Sequence, residues 1–405
     1  MAERISVKLS KAFTDFFRTE KGGAVVLIAC TMISLAVANS NYGESYVAFW
    51  HSYAGPLSIE HWVNDGLMAV FFLLIGLELK RELYIGELSD LKNASLPIIA
   101  ALGGVVVPAL IHFAFNAGAP SQAGIGIPMA TDIAFAIGVL SLVGDRVPAS
   151  LKVFLVALAV MDDLAAIVVI AVFYTTDLSL MYLALAFGMV GCLAVLNYLR
   201  VMSLVPYLLG GAVVWYLMLR SGVHATIAGV LVAFTIPFVA RGDNEVESSP
   251  SKFIEHVLHK PVSFFILPVF ALANTGIVLA SGWADELMSD NSLGVLLGLT
   301  LGKPIGITAA SFIAVMTGIS RLPLDLSWRH IFGAGLLGGI GFTMSIFITN
   351  LAFPGVAEMI NASKMAILLA SLIAGVAGFL FLKVFGQPLE SDEDPDTMDY
   401  QHSDA

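Results

Sequence analysis

The chain has 405 residues, of which 58% are hydrophobic and only 13% charged, whereas soluble domains carry about 25% charged residues. With a mean hydropathy of +0.87, a single soluble core is excluded and a polytopic membrane protein is required. The net charge of −11 says little about the body. Beyond Gly386 the chain reads Glu390-Ser391-Asp392-Glu393-Asp394-Pro395-Asp396, then Asp399 and Asp404, with no Lys or Arg.

In chain order, residues 1–21 form an amphipathic segment carrying Arg4, Lys8, Lys11, Arg18 and Lys21, unlike a cleaved signal. Apolar runs then give about twelve spans: 22–39, 63–85, 95–117, 123–143, 150–175, 180–199, 204–220, 223–240, 261–280, 293–317, 328–353 and 361–385. Between the first two, Asn41 to Trp62 holds aromatics, glycines and Pro56, and reads as an exposed loop with a short hairpin. Cys30 and Cys192 lie in apolar runs and read as small buried hydrophobes. Residues 22–386 form the transmembrane domain, and 387–405 a solvated, disordered acidic tail. No phosphate loop, nucleotide fingerprint or basic nucleic-acid stripe appears.

Orientation follows from the basic residues. With the amino terminus in the cytoplasm, nearly every Lys and Arg from Arg4 to Lys383 falls on the cytoplasmic side. The exceptions are Arg220 and Lys364 on the other side, and Lys303 inside the membrane. Both termini are therefore predicted inside.

Three features concentrate chemistry. Asp162 and Asp163 sit near the middle of the fifth run. An ionised carboxylate in hydrocarbon costs several kcal/mol or more unless paired, hydrated or protonated, so such acids point to an ion or proton pathway. Two runs are interrupted alike. The fourth reads Gly124-Ile125-Gly126-Ile127-Pro128-Met129-Ala130-Thr131-Asp132, and the eleventh reads Gly333-Ala334-Gly335-Leu336-Leu337-Gly338-Gly339-Ile340-Gly341-Phe342-Thr343. Broken helices in two halves of a transporter mark a midplane site, although glycines also serve close helix packing. Facing half-helix ends need charge compensation, for which Asp132 and Lys303 have the right signs. Asp132 as a simple helix cap is the alternative. Third, Glu78, Arg81 and Glu82 share one helix face, with Glu255, His256 and His259 before the ninth run. These are either ordinary interfacial charges or a titrating cluster. Asp65 reads as a solvated mouth residue, and His224 as either packed, solvated or involved in the pH response.

Pro128 to Ala136, Met161-Asp162-Asp163-Leu164, Gly76 to Leu83, Gly222 to Thr226, Gly302-Lys303-Pro304 and Gly338 to Phe347 together resemble the bacterial sodium/proton antiporters of the NhaA type. The likeness runs from the first span through the twelfth; residues 241–251 and the acidic tail lie outside it. It implies an all-α fold of twelve transmembrane helices with inverted-topology repeats, and two interrupted helices crossing at the membrane centre. Gly338 and Gly341 belong to the extended stretch at that crossing. It also implies electrogenic exchange of cytoplasmic sodium or lithium for external protons, activated as the cytoplasm turns alkaline. A pH sensor and access funnel are implied at Glu78, Arg81, Glu82, Glu255 and His256. Met129 departs from the small residue usual in the unwound stretch.

Sodium is a hard cation that favours oxygen ligands. A carboxylate that binds either sodium or a proton couples the two fluxes by competition. Helical neighbours point about 100° apart, so Asp162 and Asp163 have unequal roles. Asp163 is expected as the principal shared ligand and Asp162 as the second protonatable group, paired with Lys303 when the cation is absent. Thr131 supplies further oxygens, and Lys303 is either a lock or a proton carrier. The expected partners are Na+, Li+, H+, membrane lipid and a second copy in a homodimer. No cofactor, enzymatic activity or nucleic acid is expected, and the location is a bacterial inner membrane. An intramembrane aspartyl protease needs acids on two helices sharing one proton. An organic-solute carrier needs a larger polar cavity, and a channel needs a selectivity filter.

Overall fold

The computed structural model describes residues 11–89, 91–175, 178–239, 249–278 and 282–387. The expected amphipathic start at 1–10 and the acidic tail from 388 onward lie outside the described residues. The chain is helical nearly throughout. We number its principal helices α1 Lys11–Ala38, α2 Gly43–His51, α3 Ile59–Ile85, α4 Leu91–Asn116, α5 Ile133–Val143, α6 Ala149–Phe173, α7 Leu180–Tyr198, α8 Val205–Ser221, α9 Ile227–Thr235, α10 Pro250–Asn274, α11 Asp290–Met316, α12 Trp328–Gly338, α13 Phe342–Ala352 and α14 Ala357–Phe385.

Eight of the helices are long and apolar enough to cross a bilayer. Counting each bent pair as one span raises this to ten. The seventh and eighth predicted spans appear as α8, with 17 residues, and α9, with 9. The described residues thus make an all-α polytopic membrane protein. Between α2 and α3 a two-residue hairpin pairs Tyr53 with Ser58 and Ala54 with Leu57, as the loop composition predicted. Cys192 corrects one expectation: it is exposed on α7, a helix that turns most of its surface to the surroundings.

Local chemistry explains the irregularities. A 3₁₀ segment, Pro120–Met129, meets α5 at a 42° bend, and α12 meets α13 at 47°. Glycines and Pro128 deprive both stretches of strong helix formers. Two π-turns, Val262–Ile266 in α10 and Gly298–Gly302 in α11, sit just ahead of Pro268 and Pro304. A proline lacks the N–H that the carbonyl one turn earlier needs, so the ladder shifts register there. The second π-turn delivers Lys303 to the interior. Close backbone approach packs α4 against α11, with Gly103 and Gly306 facing one another.

Candidate functional site

The two breaks lie against each other. The Asp132 backbone N–H donates to the Ile340 carbonyl at 2.6 Å, and Ser345 Oγ donates to the Ile127 carbonyl at 2.7 Å. Gly341 permits this contact, because a Cβ there would collide with Ser345 Oγ and lie 3.0 Å from a Leu299 methyl and 3.2 Å from the Ala130 carbonyl. At Gly338 a Cβ would come within 3.0 Å of Ile307.

One carboxylate serves both half-helices. Asp132 Oδ1 accepts from the Phe135 N–H at 3.1 Å, capping α5. Its Oδ2 accepts from the Thr343 N–H at 3.0 Å and from Thr343 Oγ1 at 2.5 Å, in the first turn of α13. Helix amino termini carry partial positive charge, and an acid at each contributes about 0.3–1 kcal/mol when exposed and up to about 2 when partly buried. The two readings of Asp132, cap and charge compensator, are therefore one arrangement. Thr343 was legible only as a hydroxyl beside the glycines, and was not singled out.

The acid pair divides as helical geometry requires. Asp162 and Lys303 are both fully buried, with Lys303 Nζ 2.5 Å from Asp162 Oδ2. Thr131 Oγ1 lies 2.5 Å from the same oxygen and 2.8 Å from the Gly338 carbonyl. A hydroxyl has one proton, so Thr131 donates to only one of them at a time. Asp163, on the next residue, lines a small cavity with Thr131, Asp132, Ser263 and Thr343 that reaches Glu78. Oδ1 of Asp162 and Oδ1 of Asp163 are each buried without a hydrogen-bond partner. Such an orphaned oxygen is costly, about 1–3 kcal/mol and more for a charged group, unless a proton, a water or a cation satisfies it. The donor set of hard carboxylate and hydroxyl oxygens suits an alkali cation. Ser263, a lone serine in an apolar run, gave no sequence signal.

At the other end of the cavity Arg81 joins two helices. Its Nε lies 2.9 Å from Glu255 Oε1 on α10, and its Nη1 lies 2.9 Å from Glu82 Oε1. Glu78 is buried and faces the cavity, whereas His256 is exposed on α10. Lys80, between these acids in sequence, points the other way. Its Nζ donates to the Phe234 and Ile236 carbonyls at 3.0 and 2.5 Å, closing the end of α9. Asp65 corrects its reading as a solvated residue: its side chain is 13% exposed and lies 3.6 Å from His224 Nε2. His224 is packed, with its ring 5.3 Å from that of Phe347 and its Nδ1 2.9 Å from Thr226 Oγ1.

Residues 14–382 match the family model described as Na+/H+ antiporter 1. A Na+/H+ antiporter NhaA of Dechloromonas aromatica is 65% identical over 381 residues, covering 94% of this chain and 97% of the relative. A homologue in Flavobacterium johnsoniae is 58% identical over 377 residues, covering 93% and 98%. One in Cytophaga hutchinsonii is 57% identical over 387 residues, covering 95% and 99%. A transporter family thus accounts for the broken helices and the buried acids alike: the chain belongs to the Na+/H+ antiporter 1 family.

Proposed function

We propose that the protein exports cytoplasmic Na+ or Li+ in exchange for external H+, in an electrogenic, pH-activated, alternating-access cycle. The observation that carries this reading is the asymmetry of the acid pair. Asp162 is held by Lys303 and Thr131, while Asp163 turns an unpartnered oxygen into a buried site with access toward Glu78.

The cycle follows from competition. Na+ reaches the cavity past Glu78, Arg81, Glu82 and Glu255, with His256 at its rim. It is ligated by Asp163, Asp162 and Thr131, and the arriving positive charge loosens the Lys303–Asp162 pair. Protonation from the other side reverses these steps and restores the pair. Asp132 holds the two half-helix ends together at the membrane centre, where Gly338 and Gly341 let the interrupted helices cross. Lys303 acts in this scheme as a lock on Asp162, and carrying a proton itself is the alternative. Two acids adjacent on one helix with different partners do not share one proton, which disfavours proteolysis.

The chain sits in the bacterial inner membrane with both termini cytoplasmic, as its basic residues indicate. It assembles as a homodimer through the loop after α1, with lipid as its surroundings. Residues 1–21 are an amphipathic segment on the cytoplasmic side, and 387–405 a cytoplasmic tail.

Two protons entering per Na+ leaving move net positive charge inward, and each charge crossing 100 mV is worth about 2.3 kcal/mol. Purified protein in sealed proteoliposomes with an imposed potassium diffusion potential, negative inside, should accelerate outward Na+ movement. Exchange indifferent to that potential would remove one of the two acids from the proton path.

A further inference from the structure

On the far side of the acid site from Glu78 lies a polar cluster that the exchange chemistry does not use. Asn64 stands near the start of α3, Asn274 is the last residue of α10, and Asn350 lies in the last turns of α13. Asn274 Oδ1 accepts from Asn350 Nδ2 at 2.6 Å and from Asn64 Nδ2 at 3.3 Å. Its own Nδ2 donates to Asn64 Oδ1 at 2.8 Å and to the Phe270 carbonyl at 2.9 Å. Asn274 is buried and uses its full capacity of two donors and two acceptors.

The third partner ties this cluster to the ion site. Thr343, Phe347 and Asn350 are spaced i, i+4 and i+7, so they share one face of α13. Thr343 binds Asp132 at one end of the helix, and Asn350 binds Asn274 about 10 Å further along it. Between them Phe347 packs with Phe72 at 5.7 Å and Phe270 at 6.4 Å, and all three rings are buried. The same helices therefore carry an apolar plug next to the site and a carboxamide tie beyond it.

We propose that Asn350, Asn274 and Asn64 are positioning residues that close the outer side of the transporter while the site faces the cytoplasm. This rests on the antiport reading above. The tie holds α13 against α3 and α10 in the inward-facing state, and it parts when the site turns outward. Breaking it shifts the population toward the outward-facing state without touching the ion ligands.

Population arithmetic gives the expected signature, because apparent affinity on each side scales with the fraction of protein facing it. Full-length protein with Asn350→Ala, or with the isosteric Asn350→Asp, which removes the donor, is compared in right-side-out and inside-out vesicles. The half-saturating Na+ concentration at the outer face should fall about 3–10-fold, while that at the cytoplasmic face rises by no more than about 2-fold. Asn350→Gln, which keeps a donor, should restore part of the difference. Asn64→Ala should act in the same direction, and the Asn64→Ala/Asn350→Ala double variant should fall short of additivity, because both partners converge on Asn274. Equal changes on both faces, or additive effects, overturn the proposal while leaving antiport intact. Absence of Na+/H+ exchange in the unmutated protein overturns both readings.

Discussion

Lys303 and Asp162 are fully buried, and neither can be removed alone without consequence. Breaking a buried pair by deleting one partner leaves an uncompensated charge, at a cost of about 3–5 kcal/mol. Lys303→Met should therefore lower the thermal midpoint of the detergent-solubilised protein markedly. Adding Asp162→Asn should recover much of the loss, since the orphaned charge goes with it. A double variant as unstable as the sum of its singles would show that the two side chains act independently. At the cavity's other end the Arg81–Glu255 pair is partly exposed, so its direct contribution to stability is small. Its part in the proposed pH activation is tested by the pH profile. Glu255→Gln removes a negative charge beside Arg81 and so weakens the electrostatic attraction of this cluster for protons. Activity should then rise at lower pH than in the unmutated protein, with the maximal rate largely kept. An unmoved profile measured by dye dequenching in vesicles would remove Glu255 from pH sensing.

At the scale of the element, the decisive feature is the meeting of two helix breaks on one carboxylate. Asp132→Asn keeps the size of the side chain, but turns an amide N–H toward either the Phe135 or the Thr343 donors. The unsatisfied groups should cost about 1–3 kcal/mol of stability, seen as a lower thermal midpoint. A midpoint unchanged in Asp132→Asn would mean that the half-helix ends do not depend on this charge. The breaks themselves were legible, because Gly124-Ile125-Gly126 with Pro128, and Gly338-Gly339 with Gly341, disfavour continuous helix wherever they fall. The acid pair was legible because carboxylates in a long apolar run have no cheap structural use. Thr343, Ser263 and the asparagine tie were not. Each is a single neutral polar residue in an apolar run, and its meaning depends on a partner from a distant segment, such as Asn350 on Asn274. Helix ends shifted for a related reason: α10 starts at Pro250, well before the apolar run at 261, because its first turns are amphipathic.

For the whole molecule, one set of helices joins three layers. Arg81 links α3 to α10 at the Glu78 end of the cavity, Asp132 links α5 to α13 in the middle, and Asn274 links α10, α13 and α3 at the opposite end. The first and last layers bridge the same helices, α3 and α10, on opposite sides of the acid pair. In the proposed cycle the site would exchange its access by changing how these ties are made, while Asp162 and Asp163 stay in place. In that proposed cycle the exchange is driven by competition between Na+ and H+ for Asp163. Its most direct test is the release of protons from purified, detergent-solubilised protein when Na+ is added, followed across pH in weakly buffered solution. The account predicts Na+-evoked proton release in the unmutated protein, its loss in Asp163→Asn, and a reduced release in Asp162→Asn. Undiminished release from Asp163→Asn would contradict it.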